Sequence, residues 1–263
     1  PGGVITTDAN GDVSEGEFKP ESVESIELGA KSAWMNNRLI LNGAIFHYDY
    51  TDQQVSITSN DGSGVPQSSI VNAGESTIEG FEFDVVFQAS ESISLDFGYV
   101  YSDAEYDKYN LSDITAAGLP GDAVLSDDNI ALAGNAQGDF SGNQMALSAK
   151  RAATMAVRFE QPLDNGLEIM AEVNGSYQSK RYLEDGNNAY LPSYQLWNLQ
   201  LGLSSEVWSA IAYVDNVLDD DKIKSGLNNT DYGNFVGFQA LPKATSLVLP
   251  QPRTVGVRFQ YQF

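Results

Sequence analysis

The last twelve residues of the chain alternate between apolar and polar side chains. The apolar set is Val255, Val257, Phe259, Tyr261 and Phe263, and the intervening residues are Gly256, Arg258, Gln260 and Gln262. A period of two residues places the two sets on opposite faces of a β-strand. Because the second face carries an arginine and two amides, it needs water or polar partners rather than a dry core. The sequence thus predicts a terminal strand with one apolar and one wetted face.

Composition narrows the classes of protein that such a strand can belong to. The 263 residues include 36 acidic against 14 basic side chains, and a net charge of -22 argues against a nucleic-acid partner. Cysteine is absent, which excludes disulfides and thiolate metal sites. No apolar run reaches the roughly 18 residues of a membrane helix, whereas a transmembrane β-strand needs only about 9 to 11 alternating residues. The sequence is therefore compatible with an all-β membrane protein.

Nine stretches of the chain show strand-like alternation. The clearest pairs Phe81, Phe83 and Phe87 with Glu82 and Asp84 on the opposite face. The predicted strands begin at residue 24 and then cover residues 38–57, 81–88, 93–102, 150–160, 167–182, 193–203, 207–216 and 252–263. Residues 1–23, 58–69, 108–143 and 217–250 are expected to be loops, because they are rich in polar residues and glycine.

Short and long connections alternate along this series of strands. The short turns follow the first, third, fifth and seventh strands, so they all lie at one end of the sheet, as in outer-membrane β-barrels. With the apolar faces toward lipid, nine charged residues face a polar lumen: Glu27, Lys31, Glu82, Asp84, Asp96, Arg158, Glu168, Glu172 and Arg258. A soluble interior could not hold so many charges without close pairing.

Nine strands do not close a bacterial barrel by themselves, since single-chain barrels have even strand numbers and open edges are costly in lipid. We therefore expect residues 1–263 to be the C-terminal part of a larger barrel. The first residues lack the basic and apolar regions of a signal peptide, so the chain is expected to be mature or a fragment.

Five motifs in sequence order resemble the barrel of TonB-dependent receptors. Phe18–Lys31 is similar to the family's KPE…E.G.K segment, Asn72–Glu82 to N.G.a...G.E, and Tyr99–Tyr106 to Y.y.dA.y. Val214–Asp219 resembles v.NLfd, with Val217 where leucine is usual, and Pro252-Arg253 precedes the terminal strand. Each motif alone is weak, but five in the right order are specific.

This resemblance implies an antiparallel 22-stranded transmembrane barrel in the outer membrane of a Gram-negative bacterium. In the family a plug with a TonB-contacting box fills the barrel, and neither the plug nor strands one to thirteen are found in this sequence. The implied function is energised uptake of a scarce nutrient, most commonly a ferric siderophore, with lipid, TonB and the barrel-assembly machinery as partners. Phe259, Tyr261 and Phe263 match the strand that this machinery reads. No catalytic residue and no cofactor is expected.

Candidate ligand contacts lie near the bases of the long loops. Aromatic residues there form either a belt at the membrane interface or a vestibule that stacks on a small-molecule or glycan ligand. They are Tyr106, Tyr109, Phe140, Tyr182, Tyr190, Tyr232, Phe235 and Phe238. For an anionic ferric siderophore, Lys108, Arg181, Lys222 and Lys224 are candidate electrostatic contacts.

Other chemistry has little support in the sequence. His47 is the only histidine, so an ordinary lumen or rim residue is favoured over a metal ligand or a general base. Asp127-Asp128 and Asp219–Asp221 are more typical of solvated acidic loops than of cation sites, because EF-hand spacing is absent. Two alternative hypotheses are a passive porin-like barrel and a secreted soluble β-sandwich that binds glycans.

Overall fold

We describe residues 2–7, 13–60, 66–110, 139–187, 189–230 and 243–262 of a computed structural model. These residues contain fifteen β-strands and no helix long and apolar enough to cross a membrane. The strands are β1 Gly2–Thr7, β2 Val13–Phe18, β3 Ser22–Trp34, β4 Leu39–Asn60, β5 Pro66–Gln88, β6 Ile93–Tyr109, β7 Arg151–Pro162, β8 Glu168–Gln178, β9 Arg181–Tyr182, β10 Tyr190–Leu191, β11 Tyr194–Ser204, β12 Trp208–Asp215, β13 Ser225–Thr230, β14 Lys243–Val248 and β15 Thr254–Tyr261.

Nine of these strands form one antiparallel sheet in the order β15-β12-β11-β8-β7-β6-β5-β4-β3. They correspond to the nine strands predicted from alternation, so the predicted meander is confirmed. The terminal strand β15 pairs with β12 from Asp215↔Thr254 to Trp208↔Tyr261. The three small ribbons β1-β2, β9-β10 and β13-β14 are separate two-stranded sheets.

The four short turns all lie at one end of the sheet, as predicted. The turn after β3 places Met35, Asn36 and Asn37 at positive φ, a conformation that asparagine tolerates better than most residues. The turn after β7 closes with a bond from the Leu163 N–H to the Leu167 carbonyl, with Gly166 at φ +76°. The opposite end, which carries the long connections, is called the loop end below.

The apolar face of the sheet bears Phe81, Leu201 and Val257, and it is not covered by a second layer of described residues. Phe81, Val257 and Phe259 are 41%, 76% and 66% exposed. A soluble sandwich would bury these side chains against a second sheet. The described strands therefore do not form a β-sandwich, and the apolar face suits contact with hydrocarbon.

The polar face carries the nine predicted charges, because residues paired directly across antiparallel strands point to the same side. Arg158 pairs with Glu172 in the β7-β8 register, and its guanidinium also contacts Asp96 of β6. Asn42 donates to Asp84 at 2.8 Å across β4 and β5. This face is a hydrogen-bonded polar wall rather than a dry interior.

Toward the loop end, the apolar face becomes charged. The row Leu28, Ile45, Phe81 is followed on the same face, two residues further along each strand, by a row in which His47, Glu79 and Asp103 join Ile26. Asp103 binds the ammonium group of Lys150 at 2.5 Å. Strands β4, β5 and β6 therefore remain paired beyond the apolar band, where they carry charged side chains on this face.

Several predicted boundaries were wrong, and the strand expected at 81–88 begins already at Pro66. The loop expected at residues 1–23 contains β1, β2 and the beginning of β3, and that expected at 217–250 contains β13 and β14. The loop expected at 58–69 is shortened, because β4 continues to Asn60 and β5 begins at Pro66. The strand expected over 167–182 is interrupted between β8 and β9. Most of the loop expected at 108–143 lies outside the described residues.

Candidate functional site

The ammonium group of Lys180 lies over two tyrosine rings at the loop end. The ribbon β9-β10 pairs Tyr182 with Tyr190, which brings their ring centroids to 6.5 Å at an interplanar angle of 79°. The Lys180 ammonium lies 4.4 Å and 5.4 Å from these two centroids and donates to the Tyr182 hydroxyl at 2.8 Å. Tyr190 is 56% exposed, so this group of side chains is open to solvent on one side.

A second cation–π pair, formed by Lys224 and Tyr194, is linked to β9 through Arg181. The Arg181 guanidinium donates to the main-chain carbonyl of Lys224 at 2.9 Å. The Lys224 ammonium is 5.7 Å from the Tyr194 ring centroid, a distance at which cation–π attraction operates. We call Lys180, Arg181, Tyr182, Tyr190, Tyr194 and Lys224 the cation–aromatic face.

Asp220 fixes the lysines of this region. Its carboxylate lies 3.5 Å from the Lys224 ammonium and 3.7 Å from that of Lys222. Partial burial is the largest single effect and raises the pKa of Asp220, but the Lys222 and Gln195 N–H groups and the two ammonium charges outweigh it. The net pKa lies below the ordinary aspartate value, so this carboxylate is ionised at neutral pH.

The predicted aromatic residues Tyr106, Tyr109 and Phe140 form a small buried cluster instead of an open surface. They are 8%, 1% and 0% exposed. The Tyr109 ring lies edge-on to both others, with centroid distances of 4.9 Å. Ligand stacking on these three rings stays untested, but in this conformation they form the hydrophobic core of the loop base.

Polar contacts join two loops around this core. The Tyr106 hydroxyl donates to Asp185 at 2.7 Å, and the Asn143 amide donates to the Asp185 carbonyl at 2.8 Å. The Gln144 N–H donates to the Asn187 side chain, whose amide returns a bond to the Gln144 carbonyl. The loop that carries β9 and β10 is thus hydrogen-bonded to the segment after residue 138. These bonds limit the positions that the side chains of the cation–aromatic face can adopt.

The other candidate residues from the sequence lie outside this face or outside the described residues. Tyr232, Phe235, Phe238, Phe263 and Asp127-Asp128 lie outside the described residues. Lys108 is 4.0 Å from Glu75, and His47 lies 3.2 Å from Asp49 and 3.7 Å from Glu79. Phe259 stacks on Trp208 at a centroid distance of 6.3 Å on the apolar face. No group of three metal-ligating side chains occurs in the described part of the chain.

Of the predicted contacts, Tyr182 pairs with Tyr190, and Arg181, which points to the opposite side of β9, contacts the main chain of Lys224. Lys180 and Tyr194 were missed, although a lysine directly before Arg181 could have been noticed from the sequence alone. Because the whole chain carries a net charge of -22, local cations are the feature that can attract an anion. The exposed Tyr190 ring lies beside the Lys180 ammonium, an arrangement that can attract an anion and stack on an aromatic group.

Comparisons with known proteins agree with the architecture. A family model described as "TonB dependent receptor-like, beta-barrel" matches residues 2–217. The siderophore receptor PiuA of Acinetobacter baumannii is 25% identical over 175 residues, which is 66% of this chain and 20% of that protein. A ferric-pyoverdine receptor, PbuA, from Pseudomonas sp. is 25% identical over 224 residues, or 84% of this chain and 23% of the relative. The chain thus spans about a fifth of the length of these relatives.

Among solved structures, the ferric yersiniabactin uptake receptor FyuA from Yersinia pestis superposes with a TM-score of 0.66. The match covers 99% of this chain and 33% of that chain at 17% sequence identity. At this identity the likeness shows a shared fold.

Proposed function

The chain belongs to the TonB-dependent receptor β-barrel family, and from that membership we propose that it forms barrel wall and extracellular loops of a receptor importing a ferric siderophore. Members of this family are transport receptors of the outer membrane of Gram-negative bacteria. The sheet with an apolar outer face and a hydrogen-bonded polar face supports this function most directly. We propose transport rather than a chemical reaction as the role of the whole receptor.

The orientation follows from the two ends of the sheet. In outer-membrane barrels the short turns are periplasmic and the long loops extracellular. The loop end, with the cation–aromatic face, therefore meets ligands outside the cell. The remaining partners in this proposal are lipid around the apolar face, TonB as the energy source through a plug, and the barrel-assembly machinery at β15.

The positive charges of the cation–aromatic face favour anionic over neutral ligands. A ferric chelate with an overall negative charge gains attraction from Lys180, Arg181 and Lys224, whereas a neutral glycan gains only stacking on tyrosine. An anionic chelate with aromatic donor groups uses both features. A passive pore needs neither, and family membership disfavours that alternative.

The experiment uses the full-length receptor gene in iron-starved cells that lack other receptors. Growth and ⁵⁵Fe uptake are measured with Fe(III) complexed by a tris-catecholate, by a trihydroxamate and by citrate. We expect uptake of a negatively charged complex, and a roughly tenfold weaker affinity in Lys180→Ala/Lys224→Ala, since the two charges together contribute about 1.4 kcal/mol.

Lys19→Ala is the matched control. It removes one exposed cation, and alanine keeps the main-chain bonds that Lys19 makes to Asn72 and Gln54. Uptake with this control should equal that of the wild type. Equal uptake by wild type and the double variant would contradict the assigned face, and uptake of none of the complexes would contradict the iron-chelate function.

A further inference from the structure

A continuous series of side-chain hydrogen bonds crosses the polar face from the middle of the sheet to the cation–aromatic face. On β7 and β8, Arg158 donates to one oxygen of Glu172 at 2.9 Å. The Asn174 amide donates to the other Glu172 oxygen at 2.7 Å, and the Asn198 amide donates to the Asn174 oxygen at 2.9 Å. The series therefore reaches from β7 to β11 without a gap.

The turn after β12 continues the series. The Asn216 main-chain N–H donates to the Asn198 side-chain oxygen at 3.0 Å, and Asn216 is only 4% exposed. Its side-chain oxygen accepts the Asp220 N–H at 2.9 Å, and its amide donates to the Asp220 carbonyl at 3.1 Å. The same carbonyl accepts the Lys224 ammonium at 3.0 Å. We call Asn174, Asn198 and Asn216 the amide ladder.

The direction of each bond in the ladder is fixed. A main-chain N–H can only donate, so Asn198 must turn its oxygen to Asn216 and its amide to Asn174. Asn174 then has only its amide left for Glu172, and an ionised carboxylate can only accept. Reversing one side chain places two acceptors or two donors face to face, which costs the desolvation of both groups.

We propose that the amide ladder and Glu172 are positioning residues for Lys224, so that the wall of the barrel sets the geometry of the cation–aromatic face. The biological meaning of this coupling rests on the proposed function, but the coupling itself does not require the ligand. Lys224 is 18% exposed while Lys222 is 47% exposed, although both ammonium groups pair with Asp220. The two lysines therefore differ in how firmly the turn holds them, and they provide an internal comparison.

The test is a double-substitution cycle in the full-length receptor. Asn198→Asp keeps the acceptor for Asn216 but removes the donor to Asn174. Glu172→Gln keeps an acceptor for Arg158 but adds a donor that opposes the Asn174 amide. Each single variant thus breaks the direction of the ladder. In the double variant Asn174 can turn around, so that it donates to the carboxylate introduced on β11 and accepts from the amide introduced on β8, and the net charge equals that of the wild type.

The readout is the labelling rate of Lys224 by a water-soluble amine reagent, measured by mass spectrometry relative to Lys222 in the same molecule. We expect each single variant to raise the relative rate by about five- to tenfold, as when one hydrogen bond of ordinary strength stops holding a closed form. The double variant should return toward the wild-type rate. Asn42→Ala, which removes an amide bonded to Asp84 on β5, should leave the rate unchanged.

Two results would overturn the proposal: single variants with wild-type rates, or a double variant at least as reactive as the more reactive single variant. If a single variant does not fold, as judged by heat-dependent mobility on gels, folded yield replaces the labelling rate. Recovery of yield in the double variant then supports the ladder, and a further loss overturns it. Since no chelate is used, failure here is distinguishable from failure of the uptake experiment.

Discussion

The side-chain amide of Asn216 donates to the main-chain carbonyl of Gln251 at 3.0 Å, across 35 residues of sequence. A second bond joins the Arg253 N–H to the Asp219 carboxylate at 2.9 Å. These two contacts attach the turn after β12 to the segment that leads into β15. The VDNVLD motif is thereby explained as a turn that fixes where the last strand begins.

Replacement of Asn216 should weaken this attachment. Asn216→Ala removes buried hydrogen bonds and places alanine at φ +52°, so we expect a loss of about 2–4 kcal/mol in the free energy of unfolding. Asn216→Gly removes the same bonds without the backbone strain and should cost roughly 1 kcal/mol less. Urea unfolding of the full-length receptor in lipid vesicles measures both, and equal stability of Asn216→Ala and wild type would contradict this role.

Gly80 is predicted to be intolerant of any side chain. A Cβ atom at this position would lie 2.0 Å from the Tyr101 carbonyl oxygen, a main-chain atom that cannot move without breaking the β5-β6 pairing. Gly80→Ala should therefore cost about 3 kcal/mol or more. Gly29→Ala is the matched control, since its Cβ would be 3.4 Å from the nearest atom. Folded yield in the outer membrane is the measurement, and similar yields for the two variants would refute the steric argument.

The two faces of β11 should respond differently to charge. Leu201 is 54% exposed on the apolar face, whereas Gln200 next to it points to the polar face. Leu201→Arg should cost more stability than Gln200→Arg, which should cost less than about 1 kcal/mol. Unfolding in lipid vesicles compares the pair, and a reversed order would show that the apolar face does not meet lipid.

The turn around Asp220 should depend on pH. Because the pKa of Asp220 is lowered in the folded chain, its stabilising effect is complete above the unfolded value of about 3.9 and is lost as pH falls through the lower folded pKa. We expect hydrogen exchange of residues 216–224, corrected for intrinsic rates, to be constant from about pH 5 to 8 and to accelerate below about pH 4. In Asp220→Asn this acid-induced acceleration should disappear, and its persistence would assign the effect to another group.

Alternation predicted the nine strands wherever one face meets lipid, because only there do the two faces of a strand differ in polarity. Near Asn60 and Pro66 both faces are polar, so β4 and β5 extend beyond the point where hydrophobic periodicity can be read. The ribbons β1-β2 and β13-β14 were missed for the same reason. Strand prediction from periodicity is thus strongest inside the membrane.

The site was predicted in part. Position near a loop base was enough to select Arg181, Tyr182 and Tyr190, since these residues lie close in sequence. It could not distinguish an exposed ring such as Tyr190 from a buried one such as Tyr109, which is decided by contacts between loops distant in sequence. The amide ladder could likewise not be predicted from the sequence, because it joins residues of separate segments.

The charged row formed by His47, Glu79 and Asp103 belongs to paired strands and not to a loop. The relative positions of these side chains are therefore set by main-chain pairing across β4, β5 and β6. Insertions or substitutions in the long connections should leave this charged row in place, because its spacing depends on the strand register alone.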